Sequence, residues 1–164
     1  MRESKKQQDE NTTKPDPALG RLDRLVGRWI MQGRSLGSKE DNIAGTTTFQ
    51  WVHGNKGSSF FLQQDMELDY AGTEIKSREI IGYNSKTKPF SSYVYSNMAP
   101  DPWPYEWDIH GDSLIISIKF GPMDATFRGK FSADGNSFSG GWRPNPGADE
   151  VINAPYDITV TRVE

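Results

Sequence analysis

From Gly27 to the C-terminus, apolar and polar positions alternate in short runs separated by turn residues. A period of two is the pattern of strands with one buried and one solvated face. The runs predict about ten strands: 29–35, 44–53, 59–68, 73–83, 90–97, 105–110, 113–120, 123–132, 137–143 and 156–163. The breaks carry turn chemistry, as in His53-Gly54-Asn55-Lys56-Gly57, Asn84-Ser85-Lys86, Gly111-Asp112 and Ala133-Asp134-Gly135-Asn136. Two connections are longer, a proline-rich segment from Pro100 to Pro104 and a second loop from Pro144 to Ala154. Upstream the period changes. Leu19, Leu22, Leu25 and Val26 recur at helical spacing, which predicts a short amphipathic helix over 18–26 that lids one end of the sheet. Residues 1–17 are polar, end in Pro15-Asp16-Pro17, and are expected to form a disordered tail ahead of a single domain over 18–164.

Consecutive strands joined by short hairpins build an up-and-down sheet, and closing that sheet removes its exposed edges. The expected fold is all-β, a closed antiparallel barrel with a short N-terminal helix. A sandwich is the competing architecture. No internal repeat supports a propeller. The two ends of the chain supply a closure device. Trp29, in Gly27-Arg28-Trp29, is expected to plug one end of the barrel, with the Arg162 guanidinium stacked across it, a contact worth roughly 0.5–2 kcal/mol.

Alternation also assigns faces. Phe49 and Trp51 share an inward face with His53; Phe60, Leu62, Gln64, Met66 and Leu68 form another; Tyr105, Trp107 and Ile109 a third. Phe127 and Trp142 face inward from the eighth and ninth strands. In the fourth strand Glu74, Lys76 and Arg78 make a charged outer face, which turns Ile75, Ser77, Glu79 and Ile81 inward. An inward carboxylate is costly unless it is paired or hydrogen-bonded. Glu79 therefore either pairs with Arg162 or another interior cation, or serves a ligand. A barrel of this strand number is wide enough to retain a cavity unless bulky side chains fill it. The candidate ligand-binding set is Phe49, Trp51, Phe60, Leu62, Gln64, Glu79, Tyr105, Trp107, Phe127 and Trp142.

Composition narrows the function classes. With 34% hydrophobic residues, 12% aromatics and 16 glycines, the chain suits an aromatic-cored β fold with tight turns. A net charge of −3 argues against a nucleic-acid-binding face. The absence of cysteine removes disulfides, thiolate metal sites and cysteine nucleophiles. No run approaches the ~20 apolar residues of a membrane-spanning helix, and the N-terminus lacks the apolar core of a secretory signal. The expectation is a cytoplasmic protein without nucleic-acid or membrane partners, its oligomeric state left open.

Catalytic constellations are sparse. Only His53 and His110 are present, and neither has the carboxylate spacing of a metal site, so no metal and no cofactor are expected. His110 reads as a solvated strand end, and His53 as a rim or turn residue that could act as an acid or base at the barrel mouth. No nucleophile elbow, phosphate loop or dinucleotide fingerprint occurs. The segment around Trp103 is the candidate portal.

Three marks in order carry a resemblance: Leu22-x-x-Leu25-x-Gly27-x-Trp29, Gly82-Tyr83-Asn84, and Ile158-Thr159-Val160-Thr161-Arg162-Val163. Over residues 19–164 the chain resembles a bacterial domain family of unknown function with a calycin-type barrel, related in fold to lipocalins, fatty-acid-binding proteins and nitrobindins. The resemblance implies a ten-stranded container and a small hydrophobic ligand, but no assigned reaction. Nitrobindin-like proteins hold haem through a histidine late in the chain, and no histidine follows His110 here. The leading expectation is a non-enzymatic barrel that binds an apolar or aromatic molecule. One alternative is an enzyme that uses Glu79 for proton transfer. Another is an interaction module that presents the Trp103 loop to a partner.

Overall fold

A computed structural model describes residues 14–54, 57–86 and 89–163. Its strands are β1 (Gly27–Ser35), β2 (Ile43–Trp51), β3 (Phe61–Tyr70), β4 (Thr73–Tyr83), β5 (Phe90–Ser96), β6 (Trp103–His110), β7 (Ser113–Phe120), β8 (Met123–Phe131), β9 (Ser137–Pro144) and β10 (Tyr156–Arg162). Each pairs antiparallel with its neighbours in sequence, and β1 pairs with β10, so the sheet closes on itself. The closing register sets Trp29 opposite Arg162 and Met31 opposite Val160.

The segment before β1 is a 3₁₀ helix, Pro17–Leu25, rather than an α-helix. The buried residues fit the tighter coil. Leu19, Leu22 and Leu25 recur every third residue, so at three residues per turn they stack on one face, and all three are buried. Asp16 caps this helix by accepting from the Ala18 N–H at 2.9 Å, and Pro17 takes a position that needs no N–H. Asp16 and Pro17, expected in the tail, belong to the helix instead, and residues 1–13 of that expected tail lie outside the described residues. Gly27, at φ +134°, makes the bend from helix to β1 in a conformation that other residues rarely adopt.

The helix seals one end of the barrel. Arg21 donates to the Ile109 carbonyl at 3.0 Å and Arg24 to that of Gly111 at 2.6 Å. Their guanidiniums lie over Phe90 and Phe131, at 5.0 and 3.8 Å from the ring centroids. Trp29 is wholly buried beneath the helix and donates its indole N–H to the Leu25 carbonyl at 2.8 Å. Arg162 lies 4.1 Å from the Trp29 ring centroid and donates to the Arg24 carbonyl at 2.7 Å and to that of Val26.

Several strand limits differ from the alternation reading. The β2–β3 ladder ends at the pair Trp51–Leu62, so His53 falls in a turn at φ +52° and Phe60 lies beyond the last rung. β6 begins at Trp103 and absorbs the end of the proline-rich segment. Pro104 is tolerated there because the β6–β7 ladder starts one residue later, at Tyr105.

Candidate functional site

Toward the end opposite the helix, side chains do not fill the barrel. A cavity of about 490 Å³ is walled by Phe49, Trp103, Tyr105, Trp107, Phe127 and Trp142, with Met31, Met66 and Met123 among its thioethers. Methionines are adaptable linings, since an unbranched thioether can repack around different shapes. Phe127 lies against Gly129, where an added Cβ would come within 2.6 Å of the ring. The glycine gives the ring room along the wall.

Among the described residues, Glu79 is the one charged residue lining the cavity. It is buried, and both of its hydrogen bonds fall on Oε2, from the Trp107 indole N–H at 2.6 Å and from the Ser92 hydroxyl. Oε1 accepts no hydrogen bond from the described residues. Burial pushes the Glu79 carboxyl up to about 7, against the opposing pull of the Ser92 and Trp107 hydrogen bonds. Arg162 is not its partner. That guanidinium is engaged at the closed end, and neutral donors hold Glu79 instead.

Gln64 stands directly across from Glu79 on β3. Its Nε2 donates to the Thr47 hydroxyl at 2.9 Å, and that hydroxyl donates to the Asp65 carbonyl at 3.2 Å. Because the hydroxyl proton goes to Asp65, Gln64 must offer an N–H, which leaves its carboxamide oxygen as an acceptor. Tyr105 packs edge-on to Trp142 at 5.9 Å. Burial, reinforced by the Glu79 charge, holds its phenol proton on well above the ordinary range.

Seven of the ten residues singled out from sequence line this cavity: Phe49, Gln64, Glu79, Tyr105, Trp107, Phe127 and Trp142. Three do not. Leu62 is wholly buried in the packed core, while Trp51 donates its indole N–H to Asp23 on the helix at 3.1 Å. Phe60 is 42% exposed, because the ladder that would turn it inward has already ended. His53 is exposed in its turn, and His110 is an exposed strand end 3.0 Å from Asp108. Trp103 belongs to a strand and lines the cavity.

The cavity's outer rim adds residues outside the candidate set. Tyr70 and Tyr156 meet edge-on at 5.3 Å, and Val151, Ile152 and Ala154 from the β9–β10 loop complete the lining. Asn153 clips that loop to the β7–β8 turn. Its Nδ2 donates to the Pro122 carbonyl at 3.0 Å, and its Oδ1 accepts from the Asp124 N–H at 2.8 Å. Asp149 accepts from the N–H groups of Val151 and Ile152 at 2.8 and 2.9 Å. An apolar Val151-Ile152 pair between turn residues was the available signal. Among the described residues, no group of three or more His, Asp or Glu is arranged to hold a metal, and no helix is long and apolar enough to cross a membrane.

The model of the family DUF1579, described as a protein of unknown function, matches residues 14–138. No curated protein matches the chain. The structure is similar to the crystal structure of Rv2717c from M. tuberculosis, at a TM-score of 0.56 and 14% identity, covering 92% of this chain and 99% of that one. It is also similar to the S-type phycobiliprotein lyase CPES from Guillardia theta, at a TM-score of 0.52 and 12% identity, covering 87% and 90% of the two chains. At these identities the likeness is one of fold.

Proposed function

We propose a function for a chain that belongs to the DUF1579 family of proteins of unknown function: it binds a small apolar or aromatic molecule inside a calycin-type barrel. The observation that carries this reading is the cavity of about 490 Å³ with predominantly apolar walls and a few polar groups. Ligand sites commonly combine those two properties in that size range. The packed end, sealed by the helix and Trp29, supplies rigidity, and the rim supplies entry. The test is binding of N-phenyl-1-naphthylamine, a neutral apolar dye, followed by its emission and by quenching of tryptophan fluorescence. Trp142→Ala should change the affinity several-fold, while Lys76→Ala on the outer face should leave it unchanged. Absence of dye binding, or equal effects from both changes, would leave a barrel whose function lies outside its cavity.

Glu79 favours a second reading, an enzyme that moves a proton on the bound molecule. A carboxyl that titrates near neutrality beside a cavity can act as acid or base. Tyr105 would serve as a neutral hydrogen-bond donor. Solvent deuterium entering a bound ligand with wild-type protein, but not with Glu79→Gln, would establish it; equal exchange with both would dismiss it.

A further inference from the structure

The cavity's charged groups are unbalanced in sign. Among the described residues, no Lys, Arg or His lines it. The cations inside the fold sit at the other end, where Arg162 covers Trp29 and Arg24 covers Phe131. Mid-barrel, Glu79 Oε1 has no donor among the described residues and the Gln64 carboxamide oxygen is left as an acceptor, on residues directly paired across β3 and β4. Acceptors therefore stand side by side, and the wall around them is aromatic.

We propose that the cavity selects a ligand bearing a protonated amine on an apolar or aromatic body, with the ammonium held by Glu79 and Gln64 and discriminated from a carboxylate of the same shape. This rests on the reading that the cavity binds a small apolar molecule. A carboxylate group would meet Glu79 as a like charge and, among the described residues, find only neutral donors such as the Tyr105 hydroxyl and no cation to replace its hydration. An ammonium brings the donors that the two acceptors lack, and its hydrogen bond to a carboxylate is charge-assisted. A primary ammonium has three N–H donors, enough for Glu79, Gln64 and one more acceptor. The apolar remainder would extend among Phe127, Trp142 and the methionines.

The groups around Glu79 set the pH response. Gln64 on β3, Ser92 on β5 and Trp107 on β6 do not titrate in the working range, and Tyr105 on β6 keeps its proton. Lys76 and Arg78 alternate to the outer face of β4, where Arg78 pairs with Asp65 at 2.7 Å. Preference for the cation should therefore follow the ionisation of Glu79 itself, strong when the carboxyl is charged and weak when it is protonated.

The test is displacement of bound N-phenyl-1-naphthylamine by three matched probes: 1-naphthylmethylamine, 1-naphthylmethanol and 1-naphthoate. At about pH 8, where the amine is protonated and the acid ionised, the amine should compete at least about ten-fold better than the carboxylate, with the alcohol between them. Glu79→Gln should bring the amine and the carboxylate to within about two-fold of each other while dye affinity persists. In the unmutated protein the preference should shrink at about pH 5.5, so the test does not depend on how the variant folds. A carboxylate that competes as well as the amine, or a preference that survives both Glu79→Gln and acidification, would overturn the proposal. If the dye and the alcohol bind without any charge preference, this proposal alone falls. If neither dye nor probe binds, the cavity reading falls and takes this one with it.

Discussion

At the scale of single residues, Glu79 sets the character of the barrel interior. Its folded carboxyl sits at about 7, above the unfolded value of 4.5, because burial disfavours the charge. The folded state thus holds a proton that the unfolded chain releases. Stability contributed by that proton is complete below about pH 4.5 and is lost as pH rises toward 7, a change on the order of 3 kcal/mol. Denaturant titrations from about pH 4.5 to pH 8 should show unmutated protein losing stability relative to Glu79→Gln over this window; a difference independent of pH would contradict the assignment. Trp29 belongs to the same scale. It is wholly buried and bonded to Leu25, so Trp29→Ala should cost about 3–5 kcal/mol in the same assay. The inward position of Glu79 was legible because Glu74, Lys76 and Arg78 left alternation no other choice. Its hydrogen-bond donors were not. Val94, not Ser92, is its direct partner on β5, and Trp107 stands opposite Phe90, so both donors reach it diagonally. That geometry depends on registers across three strands, which no local signal sets.

At the scale of elements, the β9–β10 loop is the part that sequence patterns described least. It has no period, yet Asn153 fastens it by side-chain hydrogen bonds to Pro122, Asp124 and Asp149, and is itself buried. Asn153→Ala should destabilise the fold by about 1–3 kcal/mol, since it removes three part-buried hydrogen bonds to the backbone of Pro122, Asp124 and Asp149. It should also speed hydrogen exchange at the Asp124 amide well before amides in β4. Val151 is 87% exposed although it lines the cavity, as a residue at an entrance would be. Exchanging Val151 and Ile152 for serine should therefore alter dye association more than global stability, which a stopped-flow measurement with a parallel melt would resolve. The helix shows the opposite case. Its position and buried face were legible from Leu19, Leu22 and Leu25, while its 3₁₀ winding was hidden because a spacing of three also fits one face of an α-helix.

At the scale of the whole molecule, closure could be reasoned from the two chain ends, because a barrel needs its first and last strands to meet, and Trp29 does stand opposite Arg162. Whether the interior was packed or open could not be read that way. It depends on how rings tilt, as Phe127 does against Gly129, and on which inward residues lie near the helix rather than near the rim. Leu62 and Trp51 share inward faces with Gln64 and Phe49, yet they sit toward the sealed end. The five tryptophans sample this division directly. Trp103, Trp107 and Trp142 line the cavity, whereas Trp29 and Trp51 lie at the helix-sealed end. Titrating the ¹⁵N-labelled protein with a neutral naphthalene-type probe and following the indole N–H signals tests the central claim. The signals of Trp103, Trp107 and Trp142 should shift together with one affinity, while those of Trp29 and Trp51 stay in place. A titration that moves none of the three, or moves Trp51 and Trp29 in their stead, would contradict a ligand cavity in this barrel.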